Sequence, residues 1–305
     1  LIWLWLVPTA FGTAYYLVPK LLGVSVKGYS LAIYGFSTLA LIAPWAGLIH
    51  LRGGPVPEWI PSMGSVMAVA MFFPVTIFAG NVLGTACSNL QRIWENFTLR
   101  FIVAGTLLFT VCVYLESLLA LPTLAEVTQF SLLGNFQFIY VVHGLFAMCS
   151  FGLSYHWLPL LFGGQRPPEL LVSTHFWIAL SGVTLSLASS VWGGFAGGAI
   201  TNMGNGDWHA SLLPFHAMSI TAESLLFLSA IFFGLNLYWV IGCPLNACCP
   251  LAEKETGPTL VEDPADNPDD ELSEDELAAK KSMRLTMITF VLAVILVAFF
   301  AGVVF

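Results

Sequence analysis

Long apolar segments constrain the fold of this chain more than any other feature of its sequence. A hydrocarbon layer of about 30 Å needs about 20 mostly apolar residues in a helix that crosses it. Eight segments of this kind lie near residues 1–18, 29–51, 63–84, 99–121, 131–163, 171–195, 211–242 and 285–305. The sequence therefore predicts an all-α, polytopic transmembrane helix bundle of about eight spans. The fifth and seventh segments are too long for one straight span, so we expect tilt or extension beyond the bilayer.

The composition excludes a soluble domain. Hydrophobic residues make up 57% of the chain, charged residues make up 9%, and the mean hydropathy is +0.83. These values lie far outside those of soluble proteins of this length. We therefore expect an integral membrane protein with the lipid bilayer as its first partner, in a bacterial inner (cytoplasmic) membrane, and no nucleic-acid partner.

The basic residues predict the orientation of the spans, because cytoplasmic loops are enriched in Lys and Arg. Only Arg52 falls on one side of the predicted bundle. The other nine fall on the opposite side: Lys20, Lys27, Arg92, Arg100, Arg166, Lys254, Lys280, Lys281 and Arg284. This pattern predicts that both ends of the sequence lie outside and that the loops after the odd-numbered spans lie inside. The first residue is Leu1 rather than Met, and we expect the sequence to begin inside a longer chain.

Composition also predicts three regions along the chain. Residues 1–245 form the expected seven-helix membrane domain. Residues 246–282 are rich in Asp, Glu and Pro, a composition that buries too little apolar surface to fold alone, so we predict an acidic cytoplasmic linker. Residues 283–305 form the expected single carboxy-terminal transmembrane helix.

A frame of tryptophan, glycine and proline near the second span resembles a copper-binding segment. Trp45-Ala46-Gly47 opens the frame and Pro57-Glu58-Trp59 closes it. A similar frame encloses two adjacent copper-binding histidines in the cytochrome cbb-type oxidases, the C family of heme-copper oxidases, which are related to the nitric oxide reductase large subunit. Further stretches resemble this family in the same order: GTAYYLVPK at 12–20, Leu115-Glu116, SYHWLP at 154–159 and Thr174-His175-Phe176-Trp177. The resemblance covers residues 1 to about 240 and implies that the first seven spans correspond to the family's helices six to twelve.

The resemblance implies histidine ligands that this chain has largely replaced. A heme-copper centre uses three histidines on copper, one on the high-spin heme and two on the low-spin heme. The copper pair reads Ile49-His50, which leaves His50 as a copper-ligand remnant. An ungapped count from the family's Tyr-His-hydrophobic-Pro element places the two heme ligands near Gln137 and Ile139. His143, about one helical turn later, is the one candidate heme ligand in this helix.

Glu116 is the third candidate site residue. The resemblance implies a glutamate embedded in the membrane near the active site. Because an ionisable side chain inside a span usually faces the bundle interior or a water path, Glu116 is a candidate proton-path residue. An inherited structural contact is the alternative for Glu116. A simple hydrogen bond to a neighbouring helix or water is the alternative for His50 and His143.

Three functions remain open from the sequence. The first is a degenerate oxidase-like subunit, without a heme or copper of its own, that acts as a scaffold in a respiratory or electron-transfer complex. The second is the carboxy-terminal part of a working cbb-type cytochrome c oxidase or nitric oxide reductase, with heme b and copper. The third is a proton-path or transport protein that uses Glu116. The expected protein partners are other subunits of a membrane redox complex, including cytochrome c-type subunits.

Overall fold

The computed structural model describes residues 2–161, 166–203 and 208–242, and this part of the chain consists of helices and turns without a strand. The predicted linker 246–282 lies outside these ranges. So does the predicted carboxy-terminal helix 283–305, which contains the eighth predicted span. The α-helices are α1 (Ile2–Leu22), α2 (Tyr29–Ala46), α3 (Trp59–Ala70), α4 (Phe72–Ala86), α5 (Leu90–Glu95), α6 (Phe97–Leu119), α7 (Pro122–Thr128), α8 (Phe136–Phe138), α9 (Met148–Leu161), α10 (Glu169–Met203) and α11 (Trp208–Gly242). Two 3₁₀-helices cover Gly47–Leu51 and Leu132–Asn135, and a π-helix covers Ile139–Ala147.

The transmembrane prediction is confirmed by helices of sufficient length and hydropathy. Six candidate spans occur in the described part of the chain: Tyr29–Leu51, Trp59–Ala86, Phe97–Leu119, Leu132–Leu161, Glu169–Thr201 and Ala210–Val240. They correspond to the second to seventh predicted spans. The first predicted span forms α1 but is not one of the six, because its prolines, Trp and Tyr residues and Lys20 lower its hydropathy.

Helix α1 packs one of its faces into the interior of the bundle. Val7, Phe11 and Leu17 are almost fully buried. The Phe11 ring stacks on Phe78 of α4 and meets Phe109 of α6 edge-on, with ring centroids 3.5 Å and 5.9 Å apart. The aromatic rings on the buried face of α1 thus find partners inside the bundle. Trp5, Tyr16 and Lys20, which lower the hydropathy of α1, lie on its exposed face.

Close helix approach also places α6 against the π-helix. A Cβ atom added to Gly105 would lie 2.9 Å from the carbonyl oxygen of Gly144 and 2.9 Å from Cβ of Met148. Small residues at such crossings let backbones approach and increase van der Waals contact in a membrane. The crossing brings the last turns of α6 beside the segment that precedes α9, where the candidate site lies.

The π-helix changes the directions in which side chains point along the segment expected to hold heme ligands. Its hydrogen bonds run from residue i to i+5, so each turn contains more residues than a turn of α-helix. The segment lies between Gln137 and Tyr155, the two ends of the ungapped count. Sequence spacing alone therefore cannot say which of these side chains face the same neighbour.

Candidate functional site

Four side chains from separate elements form one hydrogen-bonded chain, which we call the Glu116 network. It comprises His50, Gln137, Glu116 and Tyr140. Nε2 of His50 lies 3.0 Å from Oε1 of Gln137, and Nε2 of Gln137 donates to Oε1 of Glu116 at 2.8 Å. The hydroxyl of Tyr140 donates to the other carboxylate oxygen, Oε2. Both oxygens of the Glu116 carboxyl group thus accept a hydrogen bond from a side chain.

The fold positions each member of the network for a local reason. His50 lies in the 3₁₀-helix that follows α2, and this helix packs on α3 at Gly64, where an added Cβ would come within 2.9 Å of Cα of Ile49. Glu116 is in the last turn of α6. Gln137 is the middle residue of the short α8, and Tyr140 lies in the first turn of the π-helix. The network therefore depends on the contact of α6 with the segment before α9.

Two cavities adjoin the Glu116 network. One has a volume of about 410 Å³, the other about 90 Å³, and both are lined by His50, Glu116 and Gln137. Tyr140 is fully buried, whereas His50 is exposed. The carboxyl group of Glu116 thus lies between two cavities and connects, through one amide side chain, to an exposed imidazole. This arrangement can hold a proton and exchange it with water in either cavity.

His143 lies apart from this network. It lines a third cavity of about 280 Å³, enclosed by the π-helix, α10 and α11, which shares no lining residue with the two cavities at Glu116. Its ring meets Phe138 edge-on at 5.8 Å between centroids. Its Nδ1 atom is buried and has no hydrogen-bond partner among the described residues. Because buried polar atoms are normally paired, His143 has one nitrogen that a ligand or water could satisfy.

The residues at the Glu116 network do not fit a dinuclear heme-copper centre. In such a centre the iron and the copper lie between the histidines that bind them, and each metal–nitrogen bond alone is about 2 Å long. Gln137, which lies near the position where the resemblance implies a heme ligand, contacts His50 directly at 3.0 Å. Because Gln137 donates its amide N–H to Glu116, its oxygen accepts from Nε2 of His50, and a donating ring nitrogen has no lone pair for a metal, so Nδ1 is the one nitrogen of His50 left to bind copper. Ile49 has no donor atom at all.

No group of three or more His, Cys, Asp or Glu residues in the described part of the chain is arranged to hold a metal ion. His143 does fit a single axial heme ligand, since it combines an unpaired buried nitrogen with an adjacent cavity. The three predicted site residues thus fall into two places, with His50 and Glu116 joined through Gln137 and His143 alone.

Sequence reasoning missed two members of the network. Gln137 was considered only as a replaced ligand, and its position in the family motif was the available signal. Tyr140 carried no signal, because its approach to Glu116 depends on the π-helix. Elsewhere His175 is fully buried, and its Nδ1 lies 2.8 Å from the hydroxyl of Tyr155. Asn236 also donates to that hydroxyl, at 3.1 Å, and so ties α11 to α9.

Membrane-capable helices around a half-buried, hydrogen-bonded glutamate define a polytopic α-helical membrane protein with polar groups between its helices. Residues 1–235 match the sequence model of the family described as Cytochrome C and Quinol oxidase polypeptide I, and the chain belongs to this family. The predicted resemblance to heme-copper oxidase subunit I is confirmed.

Curated proteins that are similar to this chain include several cytochrome c oxidase subunits. The chain is 30% identical to the Cbb3-type cytochrome c oxidase subunit CcoN1 of Stutzerimonas stutzeri over 203 residues, which are 64% of this chain and 42% of that protein. It is 30% identical to cytochrome c oxidase subunit 1 of Rhodobacter capsulatus, over 59% of this chain and 34% of the relative. The bacteroid cytochrome c oxidase subunit 1 homolog of Bradyrhizobium diazoefficiens is 22% identical over 74% of this chain and 43% of the relative. The chain thus spans less than half the length of these relatives.

Proposed function

We propose that this chain is a degenerate heme-copper-oxidase-like subunit, without heme or copper at the Glu116 network, that serves as a non-catalytic scaffold in a membrane redox complex. One observation carries the proposal: His50, the remnant of the copper site, is hydrogen-bonded directly to Gln137, close to the position where the resemblance implies a heme ligand. Together with Ile49, which has no donor atom, this contact supports the loss of the copper and heme ligands that the oxygen- or nitric oxide-reducing reaction needs.

The pairing within the network supports a stable replacement of the metal site. A lost metal leaves buried polar groups that cost free energy unless they find new partners. Here Gln137 bridges an imidazole and a carboxyl group, and Tyr140 pairs the remaining carboxyl oxygen. A fully paired network holds its helices in one arrangement. The same residues that prevent metal binding therefore stabilise the bundle, as a scaffold requires.

The assembly role includes partners and a location. We infer that the chain associates with other subunits of a respiratory or electron-transfer complex, including cytochrome c-type subunits, in a bacterial inner membrane. Both ends of the sequence then face outside and the acidic segment 246–282 faces the cytoplasm, as the distribution of basic residues predicts.

A second candidate function is favoured by His143. It would hold one heme b by a ring nitrogen in the cavity of about 280 Å³, with the rest of that site contributed from outside the described residues. A bound heme would supply one-electron transfer there. Phe138 and the walls of α10 and α11 would orient it and exclude water. The chain would then be the carboxy-terminal part of a working oxidase or reductase.

A third candidate function, proton transfer through the membrane domain, is favoured by the two cavities beside Glu116. A carboxyl group inside a span that contacts cavities on two sides is placed to accept a proton from one and release it to the other. His50, at the exposed end of the network, would exchange that proton with bulk water.

Optical spectroscopy and metal analysis separate the first two functions. We expect purified complex to show no copper that depends on His50 and no heme band that depends on His143. A reduced-minus-oxidised b-type band that disappears in His143→Ala, but persists in the matched histidine variant His156→Ala, would establish the second function. Stoichiometric copper lost in His50→Ala would overturn the first.

Two further measurements complete the test of function. Stable co-purification with redox subunits is required by the scaffold role, and a monodisperse isolated monomer from native membranes would contradict it. Proton flux in liposomes tests the third function. Glu116→Gln should abolish flux if Glu116 carries the proton, whereas Glu126→Gln, at an exposed carboxylate, should leave it unchanged.

A further inference from the structure

One stripe of α11 lines the cavity of about 280 Å³ that His143 also lines. His216, Ser219, Glu223 and Phe227 contribute to this lining at intervals of three or four residues, which place side chains on one face of an α-helix. The other walls come from α10 and from the segment that runs from the second 3₁₀-helix into α9. The carboxyl group of Glu223 therefore lies at a cavity between helices, which we call the Glu223 cavity.

The charge of the Glu223 cavity favours a cation. Among the described residues that line it, Glu223 is the one carboxylate, and no Lys or Arg is present. The sequence has no Lys or Arg between Arg166 and Lys254, a stretch that contains both α10 and α11. An ionised carboxyl group in the membrane-spanning part of a protein is costly unless an opposite charge or water reaches it. A ligand with a positive charge provides such a partner.

The cavity also offers hydrogen-bond acceptors to a ligand. The Glu223 carboxylate receives one described hydrogen bond, from the hydroxyl of Ser219 at 3.3 Å, and an ionised carboxylate can accept about four. Nδ1 of His143 is buried, and no partner for it is described. In the neutral tautomer with the proton on Nε2, this nitrogen is an acceptor. A protonated primary amine carries three N–H donors and no acceptor, so its hydrogen-bonding groups match this set.

The walls of the cavity favour an apolar body on the same ligand. Four phenylalanines line it: Phe138, Phe151, Phe215 and Phe227. The faces of aromatic rings attract an ammonium group that lies within about 6 Å of the ring centroid, and the rings also pack against hydrocarbon. The volume of about 280 Å³ is close to the lower end of the range for small-molecule pockets, about 300 Å³. The cavity is therefore suited to a small molecule.

We propose that the Glu223 cavity binds a small amphipathic molecule that carries one protonated amine. The ammonium group pairs with the Glu223 carboxylate and donates to Nδ1 of His143, and the apolar part packs against the four phenylalanine rings. A phospholipid amine fits this cavity less well, because its phosphate would lie near Glu223 without a Lys or Arg to balance its charge. The inference goes beyond the scaffold role and rests on it in one respect, because a heme held by His143 would occupy the same cavity.

Equilibrium dialysis against radiolabelled 4-phenylbutylamine at neutral pH tests this site. The protein is kept in its native complex in phosphatidylcholine nanodiscs, and the uptake by nanodiscs without protein is subtracted. 4-Phenylbutan-1-ol, in which a hydroxyl replaces the ammonium group, is the uncharged comparison. We expect saturable binding of the amine with an affinity at least about 10-fold above that of the alcohol, the effect of a hydrogen bond to a charged group.

Three side-chain variants then test the assigned contacts. Glu223→Gln should lower the affinity for the amine by about 10-fold and leave that for the alcohol unchanged, because the amide keeps the shape of the site and loses the charge. Phe227→Leu should lower the affinity for the amine by about 3-fold, because a ring face is lost. Ser224→Ala is the matched control on α11, since this hydroxyl bonds to the backbone of its own helix and Ser224 does not line the cavity. It should leave both affinities unchanged.

Other outcomes overturn the inference. Equal affinities for the amine and the alcohol, or an amine affinity that Glu223→Gln does not change, would refute the charge pairing. Weaker amine binding in phosphatidylethanolamine nanodiscs would show that a lipid headgroup takes the site. A reduced-minus-oxidised spectrum separates this test from the proposed function. A b-type heme band that depends on His143 would overturn both the inference and the heme-free scaffold, whereas a flat spectrum without saturable amine binding would overturn the inference alone.

Discussion

Replacing Gln137 with leucine tests whether the Glu116 network holds the bundle together. The substitution keeps a similar side-chain volume and removes two interhelical hydrogen bonds, those of 3.0 Å to His50 and 2.8 Å to Glu116. Such bonds contribute about 0.6 and at most about 1.7 kcal/mol each in membrane proteins, so the two together contribute about 1–3 kcal/mol. The carboxyl oxygen left unpaired adds about 1–3 kcal/mol. We expect Gln137→Leu to lower the free energy of unfolding by about 2–6 kcal/mol.

Equilibrium unfolding in mixed micelles, followed by circular dichroism, measures this loss. Gln129→Leu is the matched control, because Gln129 makes only a marginal contact of 3.5 Å with the backbone oxygen of Arg52. Its effect should stay within about 0.5 kcal/mol, as for other weakly engaged side chains. Adding Glu116→Leu to Gln137→Leu should cost less than the sum of the two single changes by about 1 kcal/mol or more. Equal stability of the Gln137 and Gln129 variants would refute the reasoning.

Three other predictions follow from packing and pairing elsewhere in the bundle. Gly105→Ala should lower the free energy of unfolding by about 1–3 kcal/mol through overpacking. Gly84→Ala is the control and should not lower it, because an added Cβ there meets nothing within 4 Å. Equal stabilities of the two variants would contradict the close crossing of α6 and the π-helix. Tyr155→Phe should cost about 1–2 kcal/mol in the same unfolding assay, because it removes the partner of a buried imidazole; thermal stability equal to the parent would argue against the bond to His175. His143→Ala should leave the micelle unfolding curve within about 1 kcal/mol of the parent, since its Nδ1 has no partner to lose; a larger loss would show that this nitrogen is paired.

Several features were accessible from the sequence because they depend on local composition. The apolar segments predicted the spans that became α2 to α11, since a membrane restricts a spanning chain to long apolar helices. The motifs around Trp45, Leu115 and Tyr155 predicted the family, which the match over residues 1–235 confirms. The loss of a donor at Ile49 was also visible directly, because no arrangement of the fold can make its side chain bind a metal.

Contacts between distant segments were not accessible in the same way. An ungapped count placed Gln137 near a heme-ligand position, but its bonds to Glu116 and His50 join residues 21 and 87 positions apart. The π-helix turns Tyr140 toward Glu116, and no composition signal marks a π-helix. For the same reason His143 could not be assigned to a separate cavity from spacing alone.

The sequence by itself determined that this chain is a membrane-embedded helix bundle of the oxidase subunit I family with Ile49 beside His50, because apolar length and residue identity are local properties. Only the tertiary structure decided what His50 contacts. It joined His50, Gln137, Glu116 and Tyr140 into one network and separated His143 from them. These outcomes depend on helix crossings and on the change of helical period before α9, which bring together side chains that no sequence interval relates.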